Sequence, residues 1–178
     1  MAYTGGLPET FSILFSMPDS HTFRLSASQV LPVARDKCFS FFEDPRNLFE
    51  ITPAWLDFRM LDRSKAAVFE GAEFDYTIRW LTLRFFWRSR IVDYHPPESF
   101  TDIQVKGPYP YWSHLHTFKE KDGSTLMKDE VTYRLPFGPF GKLLHSLIIR
   151  IQLRDIFRYR AVRIAQWAEG GFQRKEQV

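Results

Sequence analysis

Apolar and polar positions along the chain change period twice, and each stretch predicts a different kind of element. Residues 21–30 alternate in part, with Phe23 and Leu25 on one side, and predict a strand. Over 33–42 the apolar positions Val33, Ala34, Cys38, Phe41 and Phe42 share one helical face, so a short helix is expected, stopped by Pro45. A second short helix is expected over 47–51, ahead of Thr52-Pro53. The middle of the chain then reads with period two. Residues 55–61, 73–81, 83–94, 99–106, 111–119 and 125–135 are rich in aromatic and β-branched side chains and predict six more strands. Turn residues separate them: Glu70-Gly71, His95-Pro96-Pro97-Glu98, Gly107-Pro108-Tyr109-Pro110 and Lys121-Asp122-Gly123. Asp122-Gly123 is a strong hairpin signal. Turns this short join antiparallel neighbours.

After Pro136-Phe137-Gly138-Pro139 the pattern becomes helical for about thirty residues. Phe140, Leu143, Leu144, Leu147, Ile148 and Ile151 form one apolar stripe, which breaks where Arg154 and Asp155 follow. A second phase runs through Leu153, Ile156, Phe157, Ala161, Ile164, Ala165 and Ala168, which predicts a bend or a change of packing partner near Leu153. Gly170-Gly171 ends the helix. The expected organisation is a loose or extended leader over 1–20, one domain over 21–169 and a charged tail over 170–178. The fold class is α+β: a curved antiparallel sheet of about seven strands wrapped on one long C-terminal helix, with two short helices after the first strand. A curved sheet cannot cover its own concave face, and only the long helix is large enough to do so.

Composition sharpens this picture at one point. Eighteen Phe, seven Tyr and five Trp bring aromatic residues to 17%, and broad rings line pockets for apolar ligands as well as filling cores. The single cysteine, Cys38, excludes an internal disulfide and fits a reducing compartment, so a cytoplasmic location is expected. No apolar run approaches the ~20 residues that span a bilayer, and the first twenty residues lack the pattern of a signal peptide. Charge is uneven. Between 138 and 165 there are six basic residues against one acid, Asp155, in a chain whose net charge is +3. Arg150, Arg154 and Arg158 form a ridge at i, i+4 spacing: a solvated face, or a contact for anionic lipid headgroups. The ridge lacks interleaved aromatics and any nucleic-acid motif, so no nucleic-acid partner is expected. Oligomeric state is not encoded in any of these features.

The chain also carries a run of local motifs. Trp87-x-Ser89-x-Ile91 is followed by Tyr94-x-Pro96-Pro97, Phe100-x-Asp102-x-Gln104 and Gly107-Pro108-Tyr109. Then come Trp112-x-His114-x-His116-x-Phe118, Asp129-x-Val131-x-Tyr133 and Leu135-Pro136. With the order of elements over 21–168, this resembles the Bet v 1-like, or START-like, superfamily (SRPBCC), in its polyketide cyclase/dehydratase and coenzyme Q-binding branch. The resemblance implies a helix-grip fold that holds a hydrophobic small molecule, lipid-like, polyketide-like or quinone-like, in an internal cavity. It implies no shared catalytic set, because the superfamily includes carriers, chaperone-like binders and enzymes.

Candidate chemistry centres on one strand. Trp112, His114, His116 and Phe118 share a face, as do Phe100, Asp102 and Gln104 on the strand before it. If the hairpin joins these faces, Asp102 or Gln104 can accept a proton from a His ring nitrogen and orient it as a general base. The alternative is a polar ladder on the outer face. Thr101, Ile103 and Val105 suit the interior better than Asp102, Gln104 and Lys106, yet Trp112 and Phe118 are costly to expose. The two histidines with Asp102 or Asp129 could also ligate a metal, but no further spacing supports one, so neither metal nor cofactor is expected. Arg84, Arg88 and Arg90 recur at even spacing, as on a solvated strand face. Predicted ligand contacts are Trp80, Trp87, Trp112, His114, His116, Phe118, Tyr133, Leu147 and Ile151, with His114, His116 and Asp102 as catalytic candidates. Three functions fit: carriage or sensing of a hydrophobic molecule, a cyclase/dehydratase-type enzyme using a His–Asp pair, or an interaction module with a filled cavity.

Overall fold

A computed structural model of the protein describes residues 6–62, 64, 67–80, 82–136 and 148–171. Eight antiparallel strands form one sheet: β1 (Ser12–Ser16), β2 (Thr22–Leu31), β3 (Arg59–Met60), β4 (Glu73–Trp80), β5 (Leu83–His95), β6 (Ser99–Lys106), β7 (Tyr111–Lys121) and β8 (Ser124–Arg134). Their spatial order is β1-β2-β8-β7-β6-β5-β4-β3. Helices α1 (Arg35–Glu43) and α2 (Asn47–Glu50) follow β2, and α3 (Arg150–Ala168) follows β8. This is the expected curved sheet with a long C-terminal helix. The predicted helical stripe at 140, 143, 144 and 147 lies outside the described residues.

Three local departures from the sequence pattern have physical causes. The span 12–16 pairs with β2 in register from Ser12↔Ser28 to Ser16↔Arg24, so the leader contains an edge strand and the sheet has eight strands rather than seven. The strand expected over 55–61 shrinks to β3, because residues 54–56 form a 3-10 turn and Asp57 takes a left-handed conformation (φ 41°). That turn is held by charge, since the Asp57 carboxylate accepts hydrogen bonds from Arg59 and Arg84. Third, α3 runs unbroken from 150 to 168. Leu153 and Phe157 pack into a cluster with Phe23, Leu25, Val131 and Tyr133. Ile164, two turns on, joins a second cluster with Phe39, Phe100, Phe118 and Met127. The change of partner expected near Leu153 falls between Phe157 and Ile164.

Register decides which face is inside. Val105 is exposed, while Phe100, His114, His116 and Phe118 are buried, so 100-102-104 and 112-114-116-118 face the helix. The long strand β5 bends the sheet. Its pairing with β6 slips between Arg88 and Ser89 and again between Val92 and His95, and such bulges add local bend and twist. On its outer face Arg88 and Arg90 pair with Asp75 (2.7 Å) and Glu73 (2.5 Å), the solvated row the spacing predicts. Asp122 and Gly123, both with positive φ, close the β7–β8 hairpin.

One turn is tied down by a side chain. Gln104 donates from Nε2 to the Tyr109 carbonyl (2.5 Å) and accepts from the Tyr109 amide (3.3 Å), which folds 107–110 over the inner face. A Cβ on Gly107 would overlap the Gln104 carboxamide. Gly107→Ala is therefore expected to cost about 1–3 kcal/mol, the range for overpacking, as a lowered urea midpoint. An unchanged midpoint would mean that Gln104 yields freely.

Candidate functional site

The inner faces of β5 to β8 bring a polar cluster into an aromatic interior. Asp102 stands opposite His114 across the β6–β7 pair, and His116 stands opposite Asp129 across β7–β8. His114, His116 and Asp129 are all buried. His114 Nε2 lies 2.9 Å from Asp129 Oδ1 in a hydrogen bond, and His116 Nδ1 lies 2.8 Å from the same oxygen without hydrogen-bond alignment. The two imidazoles lie 3.9 Å apart, and Phe100 stacks on His116 at 4.5 Å. From the helix side comes Arg160, only 9% exposed, its guanidinium over the rings of Phe42 and Phe157.

Electrostatics sort these groups into different charge states. Burial pushes the His116 imidazole down to about 3, helped by the neighbouring His114, so His116 is neutral at physiological pH. Burial alone would raise Asp129, but the Arg160 charge and the two adjacent histidines outweigh it and hold the carboxyl well below its usual range. Asp102 behaves in the opposite way: burial raises it, and Ser89, His114 and Arg160 only partly offset that. Behind this cluster Tyr76 and Trp87 close a small network, with Tyr76 Oη 2.6 Å from Ser89 Oγ and Trp87 Nε1 donating to the same oxygen at 3.1 Å. Cys38, pushed up to about 12 by burial and then by the Asp129 charge, is an inert core thiol.

A cavity of about 70 Å³ opens beside the cluster. Its floor is Ser89, Asp102, His116 and Arg160, its walls include Phe42, Phe58, Ile91 and Phe100, and its half-exposed rim is Asp44, Pro45, Leu48 and Met60. The rim is therefore the junction of α1 and α2 facing β3. Of the predicted ligand contacts that are described, His116 alone lines this space. Trp87, Phe118, Tyr133 and His114 are packed in the core, and Trp80 and Trp112 are partly buried against the aromatic clusters. Ile151 is 43% exposed and points away, with Ile149 buried in its place. Leu147 lies outside the described residues. Arg150, Arg154 and Arg158 are exposed, as the ridge requires.

Arg160 is the residue that sequence reading missed. It belongs by type to the basic residues of the helix, yet it falls on the apolar phase, three residues after Phe157 and four before Ile164. A lone arginine inside an apolar stripe was the available signal. The donor atoms of His114, His116 and Asp129 lie within 4.8 Å of one another, a set that suits a zinc-class ion. Arg160 argues against one. Its charge already compensates the carboxylate that would have to offset a dication.

Fold and site together define a helix-grip protein whose concave face holds a small apolar cavity with a charged floor. The sequence profile of the family described as polyketide cyclase / dehydrase and lipid transport matches residues 31–158, and the chain belongs to that family. No curated protein matches the sequence. Among solved structures, a protein from Mycobacterium smegmatis is similar at 15% identity and TM-score 0.59, over 85% of this chain and 96% of that one. A protein from Thermus thermophilus is similar at 14% identity and TM-score 0.60, over 79% and 96%. Ginseng major latex-like protein 151 from Panax ginseng is similar at 15% identity and TM-score 0.54, over 79% and 96%. At these identities the likeness establishes a shared Bet v 1-like fold. The family supports binding of hydrophobic molecules in general terms. No helix among the described residues is long and apolar enough to cross a membrane.

Proposed function

We propose that the protein binds and carries, or senses, a largely apolar small molecule that inserts one end into the cavity and leaves the rest at the α1–α2 rim. The observation that supports this most is an apolar-walled cavity lined at its floor by Asp102 and Arg160, residues that carry buried polar atoms without hydrogen-bond partners, Oδ1 and Nε. Buried polar groups are nearly always paired, and unpaired ones clustered on one wall mark a place for a ligand. The volume sets the scale. A space of about 70 Å³ is roughly two water molecules' share and about half of the ~150 Å³ that takes up a benzene, so a chain end or the leading edge of a ring enters and the rest of the body extends outward. The exposed arginine ridge on α3 would let such a carrier approach anionic lipid.

Binding is favoured over acid–base catalysis by the state of His116. A general base works best with a conjugate-acid pKa near the operating pH, and burial holds this imidazole at about 3. Native mass spectrometry of freshly purified protein, followed by organic extraction, tests the reading. A stoichiometric apolar adduct is expected, and Ile91→Phe, which fills the wall, is expected to abolish it with the fold intact. Failure of both the purified protein and a panel of hydrophobic compounds to give any adduct would refute it.

A further inference from the structure

Two residues of the cavity floor carry partnerless atoms of complementary kinds. Asp102 Oδ1 is a buried carboxyl oxygen, Arg160 Nε is a buried cationic donor on a residue nine-tenths buried, and both residues line the same small space. Each is costly to leave desolvated and unpaired, the charged donor most of all. The cavity has room for one ligand group between them rather than two.

Few single groups satisfy both atoms. An ether or ketone oxygen accepts from Arg160 and, beside an ionised Asp102, brings that carboxylate no donor. An ammonium donates to Asp102 and repels the guanidinium. A carboxylate meets Arg160 but adds a third buried acid beside Asp102 and Asp129, with only one guanidinium to offset them. A hydroxyl oxygen donates once and accepts twice without adding charge. Next to it, the walls of Phe42, Phe58, Phe100 and Ile91 suit a flat carbon frame.

Resting on the cavity-binding reading above, we propose that the ligand's inserted end is a neutral hydroxyl on a flat unsaturated carbon, a phenol or an enol, that donates to Asp102 and accepts from Arg160. The neutral His116 ring lies beside it, with Nδ1 turned to Asp129 at 2.8 Å.

The test uses four single-ring probes of similar size on the full-length wild-type protein. p-Cresol offers a hydroxyl, 4-methylanisole an acceptor only, p-xylene neither, and p-toluate a carboxylate. Affinities come from chemical-shift titrations, read at the Trp87 indole N–H bonded to Ser89 on the cavity floor. p-Cresol is expected to bind about tenfold more tightly than p-xylene and 4-methylanisole, as a charge-assisted hydrogen bond implies, and p-toluate no more tightly than p-xylene. Asp102→Leu should remove the p-cresol advantage and leave p-xylene binding in place. Equal affinity for all four, or a preference for p-toluate, overturns the hydroxyl assignment while leaving the cavity reading standing. No binding of any probe overturns both. If Asp102→Leu does not fold, the ranking of the four probes on the wild-type protein decides alone.

Discussion

Replacing Arg160 with Met is expected to destabilise the protein by roughly 3–5 kcal/mol, the range for leaving a buried charge uncompensated. The guanidinium and the Asp129 carboxylate are both buried, and Arg160 is the cation that lowers the Asp129 pKa against the effect of burial. Without it the carboxylate keeps its histidine neighbours and loses its counter-charge. Met retains much of the stem that lies against Phe42 and Phe157, so the loss reports charge rather than packing. A double variant, Arg160→Met with Asp129→Asn, should recover a large part of the loss, because neither charge is then stranded. Urea denaturation of the wild type, both single variants and the double variant measures the coupling. A single Arg160→Met variant within about 1 kcal/mol of wild type would show that the Arg160 charge does not offset the burial of Asp129.

The second large effect is on acid stability. His116 has its pKa lowered from 6.5 to about 3 in the fold, so between those values the unfolded chain binds a proton that the native protein does not. Stability from this group is full above about 6.5 and is lost as the pH falls towards 3, at up to about 1.4 kcal/mol per pH unit. Asp129 acts in the same direction lower down: its depressed native pKa gives stability that is present above 3.8 and lost below it. Asp102 acts the other way. Its raised native pKa gives a contribution that is full below 3.8 and lost as the pH rises through the native value, which softens the combined slope. Folding free energies measured between pH 7 and pH 4 should fall steeply in wild type. They should fall less in His116→Gln, which keeps a polar group of similar size without a titrating ring. Parallel slopes in the two proteins would exclude His116 as the source.

Much of the architecture was legible in the chain. Alternation located β6 over 99–106 to the residue, Asp122-Gly123 marked the β7–β8 hairpin, and the apolar face around Cys38 and Phe41 marked α1. Those features are local, because backbone geometry alone sets the periods of two and 3.6 that side chains follow. The leader strand was not read from the chain, because Leu14 breaks the alternation of Phe11, Ile13 and Phe15 with Ser12 and Ser16, and only pairing with β2 turns Leu14 outward.

What only the tertiary structure decided was direction and company. Period two divides a strand into two faces without saying which is inside, and for β6 the composition pointed the wrong way. Thr101, Ile103 and Val105 are the more apolar set, yet Val105 is exposed and Asp102 lines the cavity. The reason is that Phe100 on the polar set packs against Phe39, His116 and Phe118, and the whole strand turns with it. Likewise, no pattern along the chain connects Arg160 to Asp129. Their charges act on one another because α3 packs over the strands that present the His–Asp cluster, and the Arg160 charge helps offset the burial of that acid.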